Sequence, residues 1–451
     1  MIKVKENKGL VARALQVSWP AVLESFFVAL VSMVDSFMVS GLGSYAVAAV
    51  GLTTQPKFIC LAFFTAINMA VSALVARRKG QGDRDSANRI LFTAIICCVV
   101  GVVIISGVAV ALADPIIHLA GSEPETHDSA VLYFRIIVGF MIFSVISLVI
   151  NAAQRGSGNT KIAMRTNITS NLVNVIFNYL LIGGKFGFPA LGIAGAAIAT
   201  VLGTVAACGM SIASLFGKDS FVSIPYMIKK KLLPTGKALK SIFSFASTVF
   251  AEQLMMRFGF FMSALLTANL GTEVLAAHQV AMNAMSLSFS FGDGLQVAAV
   301  TLIGQSLGQG NKALAKKYGN ICQTLGLAIS GLLAVVFLVF GRWFFGIFFP
   351  NDPQIVELGI VIVKFMILIV LFQVSQVVFS GSLRGAGDVR FTTVTSIISV
   401  AIIRPSVSYI AAYALGLGIT GIWIGILADL SVRLVLSAGR FKSGRWMNKE
   451  I

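Results

Sequence analysis

Twelve stretches of this chain are apolar over about 20 residues or more, the length an α-helix needs to cross the hydrocarbon core of a bilayer. They lie at about 17–40, 50–76, 90–113, 131–153, 162–184, 191–216, 242–268, 275–305, 320–345, 355–380, 391–415 and 418–440. A soluble protein would need polar surface to cover that much apolar chain. Charged residues are only 12% of the 451 and hydrophobic ones 57%, against about 25% charged in soluble domains. That balance excludes a disordered chain, a disulfide scaffold and an ordinary cytosolic enzyme. It predicts an all-α polytopic membrane protein of twelve transmembrane helices.

The loops test the count. Lys and Arg concentrate on the cytoplasmic side of membrane proteins. The N-terminal arm carries Lys3, Lys5, Lys8 and Arg13, and the loop after span 2 carries Arg77, Arg78, Lys79, Arg84 and Arg89. Arg155, Lys161 and Arg165 follow span 4, and six basic residues, including Lys229, Lys230 and Lys231, follow span 6. Lys312, Lys316 and Lys317 follow span 8, Arg384 and Arg390 follow span 10, and Arg440, Lys442, Arg445 and Lys449 lie in the tail. The other face holds only Arg135, Lys185 and Arg342, with Asp114, Glu123, Glu125, Asp128, Glu273, Asp352 and Glu357. Twenty-seven bases against three fix the count and predict a multi-pass plasma-membrane protein with both termini cytoplasmic. The net charge of +17 is then a topology signal answered by anionic membrane lipids, not a nucleic-acid footprint.

The N-terminus is basic and runs straight into a span, so no cleavable signal peptide is expected. Cys60, Cys97, Cys98, Cys208 and Cys322 all lie in apolar runs without C-x-x-C spacing and read as reduced small hydrophobes.

The chain is also written twice. GSYAVAAV at 43–50 returns as GTEVLAAH at 271–278, and GQGD at 80–83 as GQGN at 308–311. RGSGNTK at 155–161 returns as RGAGDVR at 384–390, and LGIAG at 191–195 as LGITG at 417–421. The offsets are 228, 228, 229 and 226, and Glu24 and Glu252 are again 228 apart. Four matches in order at nearly one offset mean a duplicated six-helix unit. Six is even, so the repeats are parallel, and transporter sites lie at midplane within or beside such repeats. The expected organisation is an N-lobe at 1–216, a cytoplasmic linker at 217–241 and a C-lobe with a basic tail at 242–451. The repeated RGxG loop lacks the preceding strand of a phosphate cradle and reads as a tight cytoplasmic turn. No P-loop exists, so uphill transport must draw on an ion gradient.

Ionisable residues at membrane depth are costly and mark function by default. Glu24, Asp35, Glu252, Asp293 and Asp429 lie within spans, as do Lys57, Arg257, Lys364 and Arg404. Glu24 and Asp35 stand three helical turns apart and share one stripe of span 1. Desolvation in a dry cavity disfavours a charged carboxylate, which is what a proton carrier needs. Asn167, Asn171, Asn174 and Asn178 draw a straight polar stripe along span 5 that must face a cavity or another helix. Gln279, Asn283, Ser286, Ser290 and Asp293 do the same on span 8, where Gly292 and Gly294 suggest a bend. Arg257 offers itself as a neutralising neighbour for Glu252. Span 10 adds Gln373, Gln376 and Ser380, and Asp429 with Arg433 reads as a local i, i+4 ion pair. Lys57, Lys364 and Arg404 have no evident partner. Abundant Met and Phe would suit bulky apolar cations.

At these residues the chain resembles the multidrug and toxic compound extrusion (MATE) family of cation-coupled antiporters, within the wider multidrug/oligosaccharidyl-lipid/polysaccharide exporter superfamily. Asp35, GLG at 41–43, Gln81-Gly82-Asp83, Arg155-Gly156-x-Gly158, LGIAGAAIAT at 191–200, GQSLGQG at 304–310 and LRGAGD at 383–388 carry the resemblance over nearly the whole chain. It implies two six-helix lobes in a V that open alternately to either side. It implies export of large, often cationic, organic compounds in exchange for protons or sodium. The positions matching the family's N-lobe cation site are Asp35, Asn174, Asn178 and Thr200, which could ligate sodium. Glu252 matches a glutamate on which other members rely. Many members carry aspartate where this chain has Asn178 and Gln373, so the N-lobe site lacks one charge and leans towards protons. Glu24, Asn171, Asn283, Asp293, Gln373 and Gln376 are the expected lining of the substrate path.

The expected activity is therefore efflux of amphipathic organic cations by alternating access. The alternative within the superfamily is a flippase of lipid-linked precursors. An enzyme is not expected, since no nucleophile–base pair has workable context and His278 stands alone. No cofactor, no catalytic residue and no nucleic-acid partner is implied. A monomer suffices, because the two lobes supply a complete pathway.

Overall fold

The computed structural model describes residues 2–217, 220–348 and 353–449. Asp352, counted above among the acidic loop residues, lies outside them. All regular structure among the described residues is helical. In chain order the first repeat contributes α1 Ile2–Ser40, α2 Ser44–Gln81, α3 Arg84–Ala111, α4 Ala113–Leu119, α5 Pro124–Gly139, α6 Met141–Gly156, α7 Thr160–Leu181 and α8 Gly192–Ser214. A short α9, Ile224–Lys229, sits in the linker. The second repeat contributes α10 Gly236–Ala268, α11 Thr272–Gly308, α12 Lys312–Phe348 and α13 Pro353–Gly385. It continues with α14 Val389–Ile397, α15 Arg404–Tyr409 and α16 Ile419–Lys442.

Among the described residues, ten helical stretches are long and apolar enough to cross a membrane, with Val389–Ala414 counted as one. The expected fourth span is two helices, α5 and α6, bent by 45°. The break follows Gly139, a weak helix former. The fifth, α7, is 22 residues long but less apolar than the others, because its asparagine stripe replaces hydrocarbon with amide. The eleventh is not a uniform α-helix: π-helical turns at Ile398–Ile403 and Ile410–Ala414 flank α15. Pro405 has no N–H to donate and crowds the preceding turn, and a widened turn absorbs it.

By packing, the chain forms two bodies, Leu23–Ser247 on one hand and Met1–Val22 with Thr248–Ile451 on the other. The expected boundaries at 216 and 242 thus shift for two reasons. First, the linker is held by the first body. Arg84 donates to the carbonyls of Ser220 and Phe221 at 2.8 and 3.0 Å, and Asn88 accepts from the Ser223 amide at 2.8 Å. Second, Ala14 and Val17 of α1 are buried in one core with Leu295, Ala298 and Leu302 of α11. The tail repeats the linker's device. Lys312 donates to Asn448 at 2.6 Å, and these two stand at the repeat offset from Arg84 and Ser220.

Within the first body α2 packs on α3, α5 and α6, and α7 packs along α8. Within the second, α13 packs between α11, α12 and α16, and α15 lies on α16. A second core, with Ala277, Ala281, Met366, Ile422 and Trp423, fills the space between α11, α13 and α16.

Candidate functional site

The repeated RGxG turn is more than a topology anchor. Its arginine ends a helix and points back into the bundle. In the first repeat Arg155 donates to Glu24 Oε1 at 2.8 Å. In the second, Arg384 donates to Glu252 Oε1 at 2.6 Å. A polar residue of another helix joins each pair: Asn167 of α7 reaches Glu24 Oε1 at 2.5 Å, and Thr393 of α14 reaches Glu252 Oε2 at 3.2 Å. Both glutamates are buried, Glu252 to 1% exposure. Isolated buried carboxylates would be costly, and a guanidinium with a second hydrogen bond offsets much of that cost. The first glycine of each turn permits close approach. A Cβ on Gly156 would meet the Ser72 carbonyl of α2, and one on Gly385 the Val300 carbonyl of α11. The second glycine, Gly158 or Gly387, turns the chain with φ of 90°. Glu252 was expected to look to Arg257; the guanidinium that reaches it is Arg384.

Asp429 follows the same rule. Arg433 grips both its oxygens at 2.8 and 2.9 Å, as the i, i+4 spacing predicts. Arg404, which had no partner in the sequence, lies 3.9 Å from Asp429 and 4.8 Å over the Phe260 ring.

Asp35 is built differently. It sits on α1 three turns beyond Glu24, and its partners are amides. Asn178 donates to Asp35 Oδ1 at 2.8 Å. One orientation of the Asn174 amide satisfies both of its ends. Its nitrogen then donates to Oδ1 and Oδ2 of Asp35 at 2.7 and 3.0 Å, and its oxygen accepts from the Thr200 hydroxyl and amide at 3.1 and 3.2 Å. Tyr133 of α5 is buried beside Thr200 and within electrostatic reach of Asp35. Lys57, half-buried in α2 with its ammonium 5.7 Å from the Phe58 ring, lies within electrostatic reach of Asp35. The structure thus brings together Asp35, Asn174, Asn178 and Thr200, the four positions that the resemblance grouped. It adds Tyr133 and Lys57, which no spacing pattern marked.

Amide and hydroxyl partners do not fix the charge of the acid they hold. A guanidinium demands a carboxylate, whereas an asparagine can donate to a carboxylate or accept from a carboxylic acid. Asn178 Oδ1 is buried without a hydrogen-bond partner, so an acceptor oxygen stands beside Asp35. An acid in such a setting can take up and release a proton or a small cation. No three His, Cys, Asp or Glu among the described residues converge as metal ligands.

The remaining expected residues are scattered. Asn171, between Asn167 and Asn174 on the α7 stripe, has a buried amide nitrogen without a partner. Along α11, Gln279, Asn283, Ser286 and Asp293 are exposed, and Gln279 donates to Asn283 at 3.5 Å. The bend expected beside Asp293 does not break the helix, which runs from Thr272 to Gly308. Gly292 and Gly294 serve packing: a Cβ there would meet Val377 and Val22. Gln373 and Gln376 are buried in α13, and both polar atoms of Gln373 lack partners. His278 packs edge-on to Trp423, ring centroids 5.6 Å apart.

An internally duplicated bundle of membrane-crossing helices with paired charges inside is the build of a membrane transport protein. Comparison with known proteins agrees. The MatE family profile matches residues 20–180 and 248–410, once in each repeat. The chain belongs to the MatE family of multidrug efflux transporters. It is 28% identical over 440 residues to the probable multidrug resistance protein NorM of Thermotoga maritima, covering 97% of this chain and 93% of that one. It is 28% identical over 478 residues to the multidrug resistance protein MdtK of Yersinia enterocolitica, covering 99% and 97%. Among solved structures, an outward-facing multidrug resistance MATE family transporter superposes with a TM-score of 0.89 at 21% identity, covering 98% and 97%. A Pyrococcus furiosus transporter of the same superfamily, described as having a binding pocket of reverse polarity that suggests a different function, superposes at 0.87 with 21% identity, covering 98% and 97%. The fold is therefore shared by proteins whose pockets differ in charge, and cargo must be argued from this chain's own residues.

Proposed function

We propose that this protein is a secondary antiporter that exports amphipathic, cationic organic compounds across the cell membrane in exchange for protons, by alternating access, with both termini in the cytoplasm. The observation that carries the reading is the contrast among the acids inside the spans. Glu24, Glu252 and Asp429 each hold a guanidinium at 2.6–2.8 Å, whereas Asp35 is held by Asn174 and Asn178. An acid with neutral partners can change its charge without stranding a buried cation. Protonation from one side and release to the other would then alter how α1 and α7 hold together. Asn174, Asn178 and Thr200 are the positioning groups of that exchange. Sodium is less well neutralised by one carboxylate than by two, so Asn178 favours the proton. Glu252, which the resemblance offered as a coupling acid, has its charge already answered by Arg384. Asn171, Asn283, Asp293, Gln373 and Gln376 are assigned to the cargo path, and Asp293, acidic and exposed on α11, suits a cationic cargo.

The test is exchange in proteoliposomes with ethidium as cargo. Proton and sodium gradients are imposed separately on wild type and Asp35→Asn. Uptake driven by protons and lost in the variant supports the reading. Uptake driven by sodium alone would replace the proton with sodium at this site. No movement under either gradient would end the antiport reading and turn attention to lipid-linked cargo.

A further inference from the structure

We infer that Asn167 and Glu24 form a positioning rung that sets the geometry of the Asp35 site from three turns away. The inference rests on the coupling role proposed for Asp35. Asn167 meets Glu24 at 2.5 Å and Asn178 meets Asp35 at 2.8 Å. Both pairs are separated by 143 residues, so the step from Glu24 to Asp35 on α1 equals the step from Asn167 to Asn178 on α7. That step is three turns with about 20° left over, so each helix presents both of its rung residues on one face, about 16 Å apart. Equal spacing on two helices that run in the same direction means that they are in register without slip. Neither Ser25–Val34 nor Ile168–Phe177 contains proline or glycine, so nothing in either segment supplies a ready kink. Two stiff rods joined at two points cannot slide at one without straining the other.

The Glu24 rung is the fixed one. Arg155 ties Glu24 to the end of α6, whose turn is seated against α2 at Gly156. The Asp35 rung is the changeable one, because Asn174, Asn178 and Thr200 are neutral. The ionisable groups near Asp35 are Lys57 from α2 and Tyr133 from α5, and Arg155 from α6 faces Glu24. The second repeat supplies an internal comparison. It keeps the fixed rung as Arg384, Glu252 and Thr393, but the position matching Asp35 at the offset of the two glutamates is Ser263. A rung without a changeable partner should have no influence on proton coupling.

The experiment is the pH profile of ethidium exchange by the full chain in proteoliposomes, with the half-saturating ethidium concentration measured beside it. Asn167→Ala is expected to move the pH midpoint by about half a unit or more, roughly threefold in proton concentration. The half-saturating ethidium concentration should change less than about twofold, since the proton site rather than the cargo path is disturbed. Asn167→Ser carries the same expectation if the alanine variant fails to reach the membrane. Glu24→Gln keeps an acceptor for both Asn167 and Arg155 and should hold the midpoint near wild type. A midpoint displaced as far as in Asn167→Ala would instead make Glu24 a charge carrier and overturn the positioning role. Thr393→Val should leave the midpoint where it was. An equal shift there, or none in Asn167→Ala, overturns the inference. If wild type responds to no proton gradient, or Asp35→Asn retains its response, the coupling reading itself has failed, and that is seen before the rung variants are compared.

Discussion

Asn178 donates a 2.8 Å hydrogen bond to Asp35 where many relatives of this chain are expected to place a second carboxylate. One side chain thus sets the charge of the site. Asn178→Asp should add sodium-driven ethidium uptake to the proton-driven exchange, because two carboxylates hold a small cation better than one. Asp35→Asn should lose both responses while the protein still reaches the membrane. Gradient-driven uptake with each ion in turn checks both, and an Asn178→Asp variant blind to sodium would refute the charge argument.

Arg384 and Glu252 pair at 2.6 Å with exposures of 10% and 1%. Arg384→Met leaves a buried carboxylate without its cation and should cost about 3–5 kcal/mol. Glu252→Gln/Arg384→Met removes both charges and should recover most of that loss. Thermal unfolding in detergent of the single and double variants decides it. A double variant no more stable than the single one would count against the pair as the cause.

Gly156 and Gly385 lie against backbone carbonyls, Ser72 in one repeat and Val300 in the other. Overpacking at such contacts costs about 1–3 kcal/mol, or more where backbone must move. Gly156→Val and Gly385→Val should both lower the unfolding temperature and the yield of folded protein. Gly331, whose Cβ would meet nothing within 4 Å, is the control that should tolerate alanine.

Asp83 caps α3, accepting from the Ser86 amide at 3.0 Å. Burial alone would raise its carboxyl, but the Ser86 hydrogen bonds and the Arg78 charge outweigh burial and hold it below the ordinary 3.8. A depressed folded value means that the cap stabilises fully above the unfolded value and fades as pH falls through the folded one. Asp83→Ala should cost about 1 kcal/mol near neutral pH. The gap to wild type should narrow below about pH 4, as thermal unfolding across pH would show.

The helices were legible because membrane crossing leaves a coarse signal: length, apolarity and the basic residues at one end. The duplication was legible because turns need glycine at fixed places, so Gly82 and Gly310, or Gly158 and Gly387, survive as pairs. The α7 stripe was legible from spacing, and its meeting with Asp35 follows from the need to cover amides. What stayed hidden were partners reached across the bundle. Arg155 and Arg384 sit among loop bases that all read as topology charge, although their offset of 229 beside the 228 of Glu24 and Glu252 held the clue. Tyr133 carries no periodic mark at all. The bend after Gly139 and the π turns around Pro405 were likewise invisible, since hydropathy does not register a change of helical pitch.

The asparagine face of α7 also bears on how the protein is made. A helix with four amides along one side partitions poorly into hydrocarbon by itself, and Asn167 and Asn178 each donate to an acid on α1. During synthesis α1 leaves the ribosome well ahead of α7, with five intervening helices still to be made. Both acids of α1 thus gain their amide partners only from a helix made after five intervening ones.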